Sequence, residues 1–283
     1  MTKQILSILM SFSVVLSGCS NVFEKFAVKD TDAALYEDAT KALNAGNYDL
    51  SLEKFNALSA GYKSNPDVKK YWAGALAGKC GMDFTSLLDS LTNADLSSTA
   101  AFKFFMNLFT GKTVHPEYCT QAETQMKEIW GQRSATQGEQ LFMVLLSMAK
   151  MGTYLRSKAD NDGAGNLGDG NTDAGYNSCN NTDDDHHLTD AEVTEVVTGF
   201  SQLLLNITAF TATTFAGSAA SINNIQAACA AFTPNPCATT DAASVDASMI
   251  ATMRDLLETN GTYPTPIGIG SCSFPTPPGS CCP

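Results

Sequence analysis

The chain has 283 residues, of which 44% are hydrophobic and 16% are charged, a composition typical of a folded protein with a substantial core. Its formal charge of −12 comes from one stretch, because the 95 residues between Lys158 and Arg254 contain 12 acidic residues and no basic residue. An acidic chain without a lysine or arginine cluster is a poor candidate for binding nucleic acid or for docking electrostatically on an anionic membrane surface.

The first nineteen residues have the pattern of an exported lipoprotein. Lys3 precedes an apolar run from Ile5 to Leu16, which is too short to span a bilayer as a permanent helix. The tetrapeptide Leu16-Ser17-Gly18-Cys19 ends this run and resembles the lipobox of bacterial lipoproteins. The alternative interpretation is an ordinary secretory signal in which the cysteine is a coincidence.

The lipobox resemblance implies a location in the cell envelope. It implies a signal peptide over residues 1–18, cleavage after Gly18 and acylation of Cys19, with palmitate among the attached chains. Two or three acyl chains suffice for stable membrane anchoring. Residues 19–29 then form a lipidated tether. In enteric bacteria a serine after the acylated cysteine directs lipoproteins to the outer membrane, so Ser20 implies an anchor there that faces the periplasm.

From residue 30 onward the apolar residues recur at helical spacing, which predicts helices at 30–44 and 48–59. A first set of small and aromatic residues comprises Ala39, Gly46, Tyr48, Phe55 and Leu58, and a weaker copy comprises Tyr71, Trp72, Ala75, Gly78, Gly81, Phe84 and Leu88. Residues 31–98 therefore resemble two tetratricopeptide repeats, although Ser51 and Ala42 depart from the family's preferred residues. A generic pair of helical hairpins is the alternative.

Further helices are predicted at 100–109, 139–156, 189–210, 219–231 and 242–259. The helices at 100–109 and 139–156 are apolar on nearly every face, which indicates core helices or an adaptable apolar groove. Thr189 and Glu192 have the spacing of a capping box at the start of the third block. The predicted fold is all-α, with antiparallel tetratricopeptide-like pairs at 30–159, an acidic loop at 160–187, C-terminal helices at 188–259 and an irregular tail at 260–283 that disulfides hold.

The cysteine count agrees with export. Without Cys19 there are eight cysteines, an even number, in a compartment where disulfides persist. The short turn between Cys229 and Cys237 favours that pair, and Cys80 with Cys119 is the next plausible pair. The remaining cysteines, which would hold the acidic loop and the tail, are Cys179, Cys272, Cys281 and Cys282.

The acidic loop is the candidate metal site. Aspartate and asparagine oxygens separated by flexible glycine are what a hard cation such as Ca²⁺ requires. The candidate ligands are Asp160, Asp162, Asp169, Asn171, Asp173, Asp183 and Asp185. The loop is not an EF-hand, because Ala174 and Asn180 replace the turn glycine and the bidentate glutamate. Two alternatives remain: a solvated acidic loop without an ion, and a transition metal such as Zn²⁺ or Ni²⁺ bound by His186 and His187.

Hydrolase, metalloprotease and nucleotide-binding motifs are not found in the sequence, so we predict that the protein is not an enzyme and needs no cofactor apart from the candidate Ca²⁺. The expected function is a lipid-anchored envelope scaffold or assembly factor that holds an envelope partner protein on its repeat surface. One alternative is a solute-binding or transporter-associated lipoprotein with an apolar cavity lined by helices. A second alternative is a calcium-binding adhesion module.

Overall fold

A computed structural model describes residues 30–92, 100–162, 165–207, 235–260 and 267–272, with 226, 229–230, 233 and 281–282. Within these residues the chain forms ten α-helices and no strand, which confirms the predicted all-α fold. The predicted signal peptide, Cys19 and the tether to residue 29 lie outside the described residues, as does most of the helix predicted at 219–231.

The helices follow one another closely along the chain. Their bounds are α1 Asp32–Asn44, α2 Tyr48–Ala57, α3 Ala60–Lys63, α4 Pro66–Cys80, α5 Phe84–Thr92, α6 Ala101–Asn107, α7 Pro116–Trp130, α8 Gln137–Ala159, α9 Asp190–Ile207 and α10 Ala247–Glu258. None of the described helices is long and apolar enough to cross a membrane.

Local capping explains where several helices begin. The side chain of Thr31 accepts a hydrogen bond from the amide of Ala34, and the side chain of Asn47 accepts one from Leu50, so two free amides at helix N-termini are satisfied. The predicted capping box is confirmed, because the Thr189 amide donates to Glu192 Oε2 at 2.7 Å and the Glu192 amide donates to Thr189 Oγ1 at 3.3 Å.

The centre of the fold is α8, a 23-residue helix that packs against α9, α6 and α7 and also touches α4 and α5. Its middle turns are almost entirely buried, as the apolar pattern predicts. Gly152 permits the close approach of α6, since a Cβ at this position would overlap the carbonyl oxygen of Phe105. The buried residues form one continuous core from Ala39 to Ile269, so the helices after the acidic loop share the core of those before it.

Four disulfides cross-link the described residues. The predicted pairs Cys80–Cys119 and Cys229–Cys237 are both formed, and the first joins the end of α4 to α7. The four remaining cysteines pair as Cys179–Cys282 and Cys272–Cys281, which ties the acidic loop to the tail as expected.

The start predicted for the helix over 242–259 is wrong, because the α-helix begins at Ala247. The structure has a short 3₁₀ turn at Ala242–Ser244, an extended residue at Val245, and then α10. The reason is local: the side chain of Asp241 accepts from the Ala243 amide and that of Asp246 accepts from the Met249 amide, so each aspartate begins its own helical turn.

Candidate functional site

The candidate site lies where α8 ends and the acidic loop begins. Asp160 is the first residue after α8, and it is fully buried. One carboxylate oxygen accepts the Asp169 amide at 2.7 Å and the other accepts the Gly170 amide at 3.1 Å. The loop therefore folds back around the Asp160 carboxylate, which organises the turn that follows.

The backbone of this turn needs glycine. Gly168 and Gly170 both have positive φ angles, +72° and +89°, which residues with a side chain rarely adopt. A Cβ at Gly168 would also collide with the Asp160 carboxylate. Glycine therefore permits the backbone conformation at both positions, and at Gly168 it also permits the close approach to the buried acid.

Asp173 brings the far side of the turn back to α8. Its amide donates to the carbonyl oxygen of Ala159 at 2.7 Å, and its Oδ2 accepts the Asn161 amide at 2.7 Å. Only 7% of the residue is exposed, and Oδ1 has no hydrogen-bond partner among the described residues. A buried carboxylate oxygen without a partner is unfavourable unless a ligand or a proton satisfies it.

Three of the seven predicted ligands converge. Carboxylate oxygens of Asp160, Asp162 and Asp173 lie within 4.8 Å of one another, and Asp162 is the exposed member of the three. Asp169 faces its own turn instead, with Oδ1 accepting the Asn171 amide at 2.8 Å. The remaining predicted ligands are exposed and lie outside this cluster; they are Asn171, Asp183 and Asp185.

The electrostatics of the cluster are those of crowded acids. Burial is the main cause that raises the pKa of Asp160, and the nearby charge of Asp169 adds to it. Burial also raises the pKa of Asp173, and the Asp162 carboxyl beside it raises that pKa further. Both acids are therefore held in surroundings that disfavour their charged forms.

The two histidines of the loop point to different partners. His187 Nδ1 lies 2.7 Å from Asp184 Oδ2, while His186 Nδ1 lies 3.8 Å from Asp173 Oδ2. The pKa of Asp184 is lowered, chiefly because it accepts the His186 amide and then because it bonds His187. The pair does not converge on one point, so the geometry favours oxygen ligands over a two-histidine transition-metal site.

Basic residues hold this loop mainly through its backbone carbonyls. Arg156 Nε donates to Leu167 O at 3.1 Å, and Lys158 donates to the carbonyl of Asp184. Arg254 donates to Ser178 O at 2.7 Å and Leu188 O at 2.8 Å. Lys158 and Arg254, which border the base-free stretch of the sequence, thus both bind residues within it. This arrangement was not predicted from the sequence, although the position of these two residues at the borders of the stretch could have indicated it.

A second cluster of buried charges was also missed. Lys150 is 1% exposed in the middle of α8, and its Nζ lies 2.6 Å from Glu123 Oε2 and 2.7 Å from Glu195 Oε2. Thr198 Oγ1 accepts a third bond at 2.8 Å, so α7, α8 and α9 share one ion-pair network. A single lysine within the apolar run of α8 was the signal that could have revealed it.

Comparison of this chain with protein-family models, with curated proteins and with solved structures finds no match.

Proposed function

We propose that this protein is a lipid-anchored envelope scaffold that holds a partner protein in grooves on its helical surface. The anchor is the acylated Cys19 of the lipobox-like segment, which lies outside the described residues. Ser20 supports an outer-membrane location facing the periplasm. The helical body then stands on its tether within reach of other envelope proteins.

The packing of α1, α2 and α4 supports the resemblance to tetratricopeptide repeats. Ala39 and Phe55 are fully buried between these helices. The ring of Tyr48 lies so close to Gly78 that a Cβ there would overlap it. A small residue that admits an aromatic from the neighbouring helix is the arrangement that the repeat pattern requires.

The observation that carries the proposal is a pair of adjoining grooves. One groove of about 320 Å³ is lined by residues that include Leu43, Tyr48 and Gly78, and a second of about 310 Å³ by residues that include Met126. Both grooves share Phe84 and Phe142. Phe84 is 43% exposed at the start of α5, so a large aromatic surface is available between two recesses. Apolar side chains of a partner protein fit this surface, because both grooves open to solvent beside an exposed aromatic ring.

The test is photo-crosslinking from position 84 in native membranes. A photoreactive amino acid replaces Phe84, and a matched variant carries it at Leu50, which is exposed to a similar extent at 39% but does not line either groove. We expect a discrete crosslinked protein from position 84 and not from position 50. The same protein should copurify less with the Phe84→Ser variant.

Two outcomes contradict the scaffold. Identical crosslinked products from both positions would mean that the grooves have no particular partner. A solute-transporter subunit crosslinked at position 84 would favour the transporter-associated alternative instead. The anchor is tested separately: Cys19→Ala should abolish incorporation of labelled palmitate, and unchanged labelling would refute the assignment of Cys19.

A further inference from the structure

The protein offsets the charge of the acidic cluster at the end of α8 only in part: the charge of Arg156 acts on Asp160 and Asp173 without a direct bond, and His186 Nδ1 lies 3.8 Å from Asp173 Oδ2. Among the described residues, no lysine or arginine forms a salt bridge with Asp160, Asp162 or Asp173. The basic side chains that reach the loop are occupied elsewhere: Arg156 binds carbonyls of the turn, and Lys158 binds the carbonyl of Asp184.

A second observation also points to a bound ion: Oδ1 of Asp173 has no hydrogen-bond partner among the described residues. The side chain is held in place because its other oxygen accepts the Asn161 amide at 2.7 Å. Oδ1 is buried, has no partner among the described residues, and belongs to the carboxylate that faces Asp160 and Asp162. Turning the side chain towards solvent would break the bond between Oδ2 and the Asn161 amide.

We propose that Asp160, Asp162 and Asp173 bind one hard divalent cation, Ca²⁺, which fastens the acidic loop to the end of α8. The donor set is made of oxygens alone, which suits Ca²⁺ better than Zn²⁺. Calcium also accepts irregular geometry and completes its shell with backbone carbonyls and water, whereas Mg²⁺ demands a compact octahedron. Asp162 is exposed, so one ligand of the proposed site faces solvent.

The proposed site joins three points of the chain. Asp160 ends α8, Asp162 lies on the segment that leaves it, and Asp173 lies at the return of the turn. A cation between them would cancel the mutual repulsion of three carboxylates and keep the Asp169 and Gly170 amides on Asp160. This inference is independent of the proposed partner-binding grooves, which lie on other residues.

The test is calcium binding by the full chain in detergent, measured by isothermal titration calorimetry after removal of metals with a chelator. We expect one Ca²⁺ per chain with a dissociation constant on the order of 10⁻⁴ M, the range of extracellular calcium modules. Asp162→Asn should weaken binding about tenfold or more, and its exposed position spares the fold. The matched control is Asp183→Asn, an exposed acid of the same loop outside the cluster, which should leave the affinity unchanged.

Hydrogen exchange supplies a second measurement at defined atoms. Calcium should slow exchange of the Asn161, Asp169 and Gly170 amides, which donate to the cluster, and should not do so in Asp162→Asn. Equal protection with and without calcium would overturn the proposal, as would equal calcium affinity in both variants. Binding of Zn²⁺ alone, lost in His186→Asn, would also overturn it in favour of a transition-metal site.

Discussion

Glu123 and Glu195 are bound to the ammonium group of Lys150 inside the core, whereas Asp160 and Asp173 are buried at the end of the same helix beside a third acid. Within the described residues, the first cluster has a cation from the protein and the second forms no salt bridge with lysine or arginine. Each cluster contains buried acids, Glu123 in the first and Asp160 and Asp173 in the second, so burial alone does not distinguish them.

The pKa shifts of the two clusters have opposite directions. Burial by itself would raise the pKa of Glu123, but the charges of Lys150 and Lys127 outweigh it and lower that pKa. Burial raises the pKa of Asp173, and the neighbouring acids add to this effect. The difference teaches that a cation in direct contact outweighs the effect of burial on an acid, whereas the backbone amides that donate to Asp160 and Asp173 do not. The loop cluster is where we propose that Ca²⁺ takes the place of such a cation.

The largest effect should come from breaking the paired cluster, which consists of Lys150, Glu123 and Glu195. Lys150→Met keeps much of the side-chain volume, but it leaves the half-buried Glu195 without its cation and the buried Glu123 with Lys127 as its remaining cation. We expect the free energy of unfolding to fall by about 3 to 5 kcal/mol, the cost of removing one partner from a buried ion pair. Urea denaturation followed by circular dichroism measures this loss.

A charge-balancing variant distinguishes lost pairing from lost packing. Adding Glu123→Gln and Glu195→Gln to Lys150→Met removes the stranded charges, so much of the lost stability should return. If the triple variant is no more stable than Lys150→Met alone, the network does not act as a charge pair.

The start of α8 offers a second paired acid, at the opposite end of the helix from Asp160. Glu139 bonds Arg133 and the Thr136 amide, and these bonds, with that of Arg133 first, lower the pKa of Glu139 to about 2. Glu139→Gln should cost about 1 to 2 kcal/mol at neutral pH, as for a lost helix cap. Arg133 is partly exposed, so solvent screening keeps this effect below that of Lys150→Met.

The pH dependence of that loss has a defined sign. Because the folded-state pKa of Glu139 lies below its unfolded value of 4.5, its contribution is complete above pH 4.5 and disappears as the pH falls towards 2. The stability difference between the native chain and Glu139→Gln should therefore shrink across this interval in denaturant titrations. A difference that stays constant from pH 6 to pH 2.5 would contradict the assigned role.

Parts of the fold differ in how well they can be predicted from the sequence alone. Helical spacing predicts the all-α fold, and the Thr189 capping box follows from local chemistry that three residues determine. The disulfide between Cys229 and Cys237 is equally local. The Lys150 network is not local, because its partners come from α7 and α9 and meet only after the helices pack.

The candidate site follows from the sequence only in part. Composition identifies an acidic loop with seven oxygen-bearing candidates but does not indicate which of them meet. Their convergence depends on the positive φ angles of Gly168 and Gly170 and on the capture of two amides by Asp160. Asp183 and Asp185 have the same side chain but lie outside this turn. Sequence spacing alone therefore predicts them as ligands just as strongly as the three residues that converge.

The loop cluster should respond to neutralisation in the opposite way from the paired cluster. Asp173→Asn keeps an oxygen for the Asn161 amide but removes a charge. Since the folded-state pKa of Asp173 is raised, its favourable contribution is present only at low pH and is lost as the pH rises through that value. With a chelator at pH 7.5, the variant should be more stable than the native chain by up to about 1 kcal/mol.

Calcium should reverse this order. In millimolar Ca²⁺ the native chain gains the binding free energy and Asp173→Asn gains less, so their unfolding temperatures should cross. Thermal melts of both chains, with chelator and with calcium, measure the crossing. Destabilisation of Asp173→Asn in both conditions would mean that the carboxylate has a purely structural role at the turn.

The smallest effect should come from a pair that is not buried at all. Lys41 and Glu37 lie one turn apart on α1 at 2.7 Å, and both side chains are about two-thirds exposed. Water and salt screen such a pair, and ordering two long side chains offsets much of the attraction. Lys41→Met should therefore leave the urea midpoint unchanged within the error of the measurement, at low and at high salt. A loss comparable to that of Lys150→Met would show that proximity of opposite charges, rather than burial of the acid, determines the stability of ion pairs in this fold.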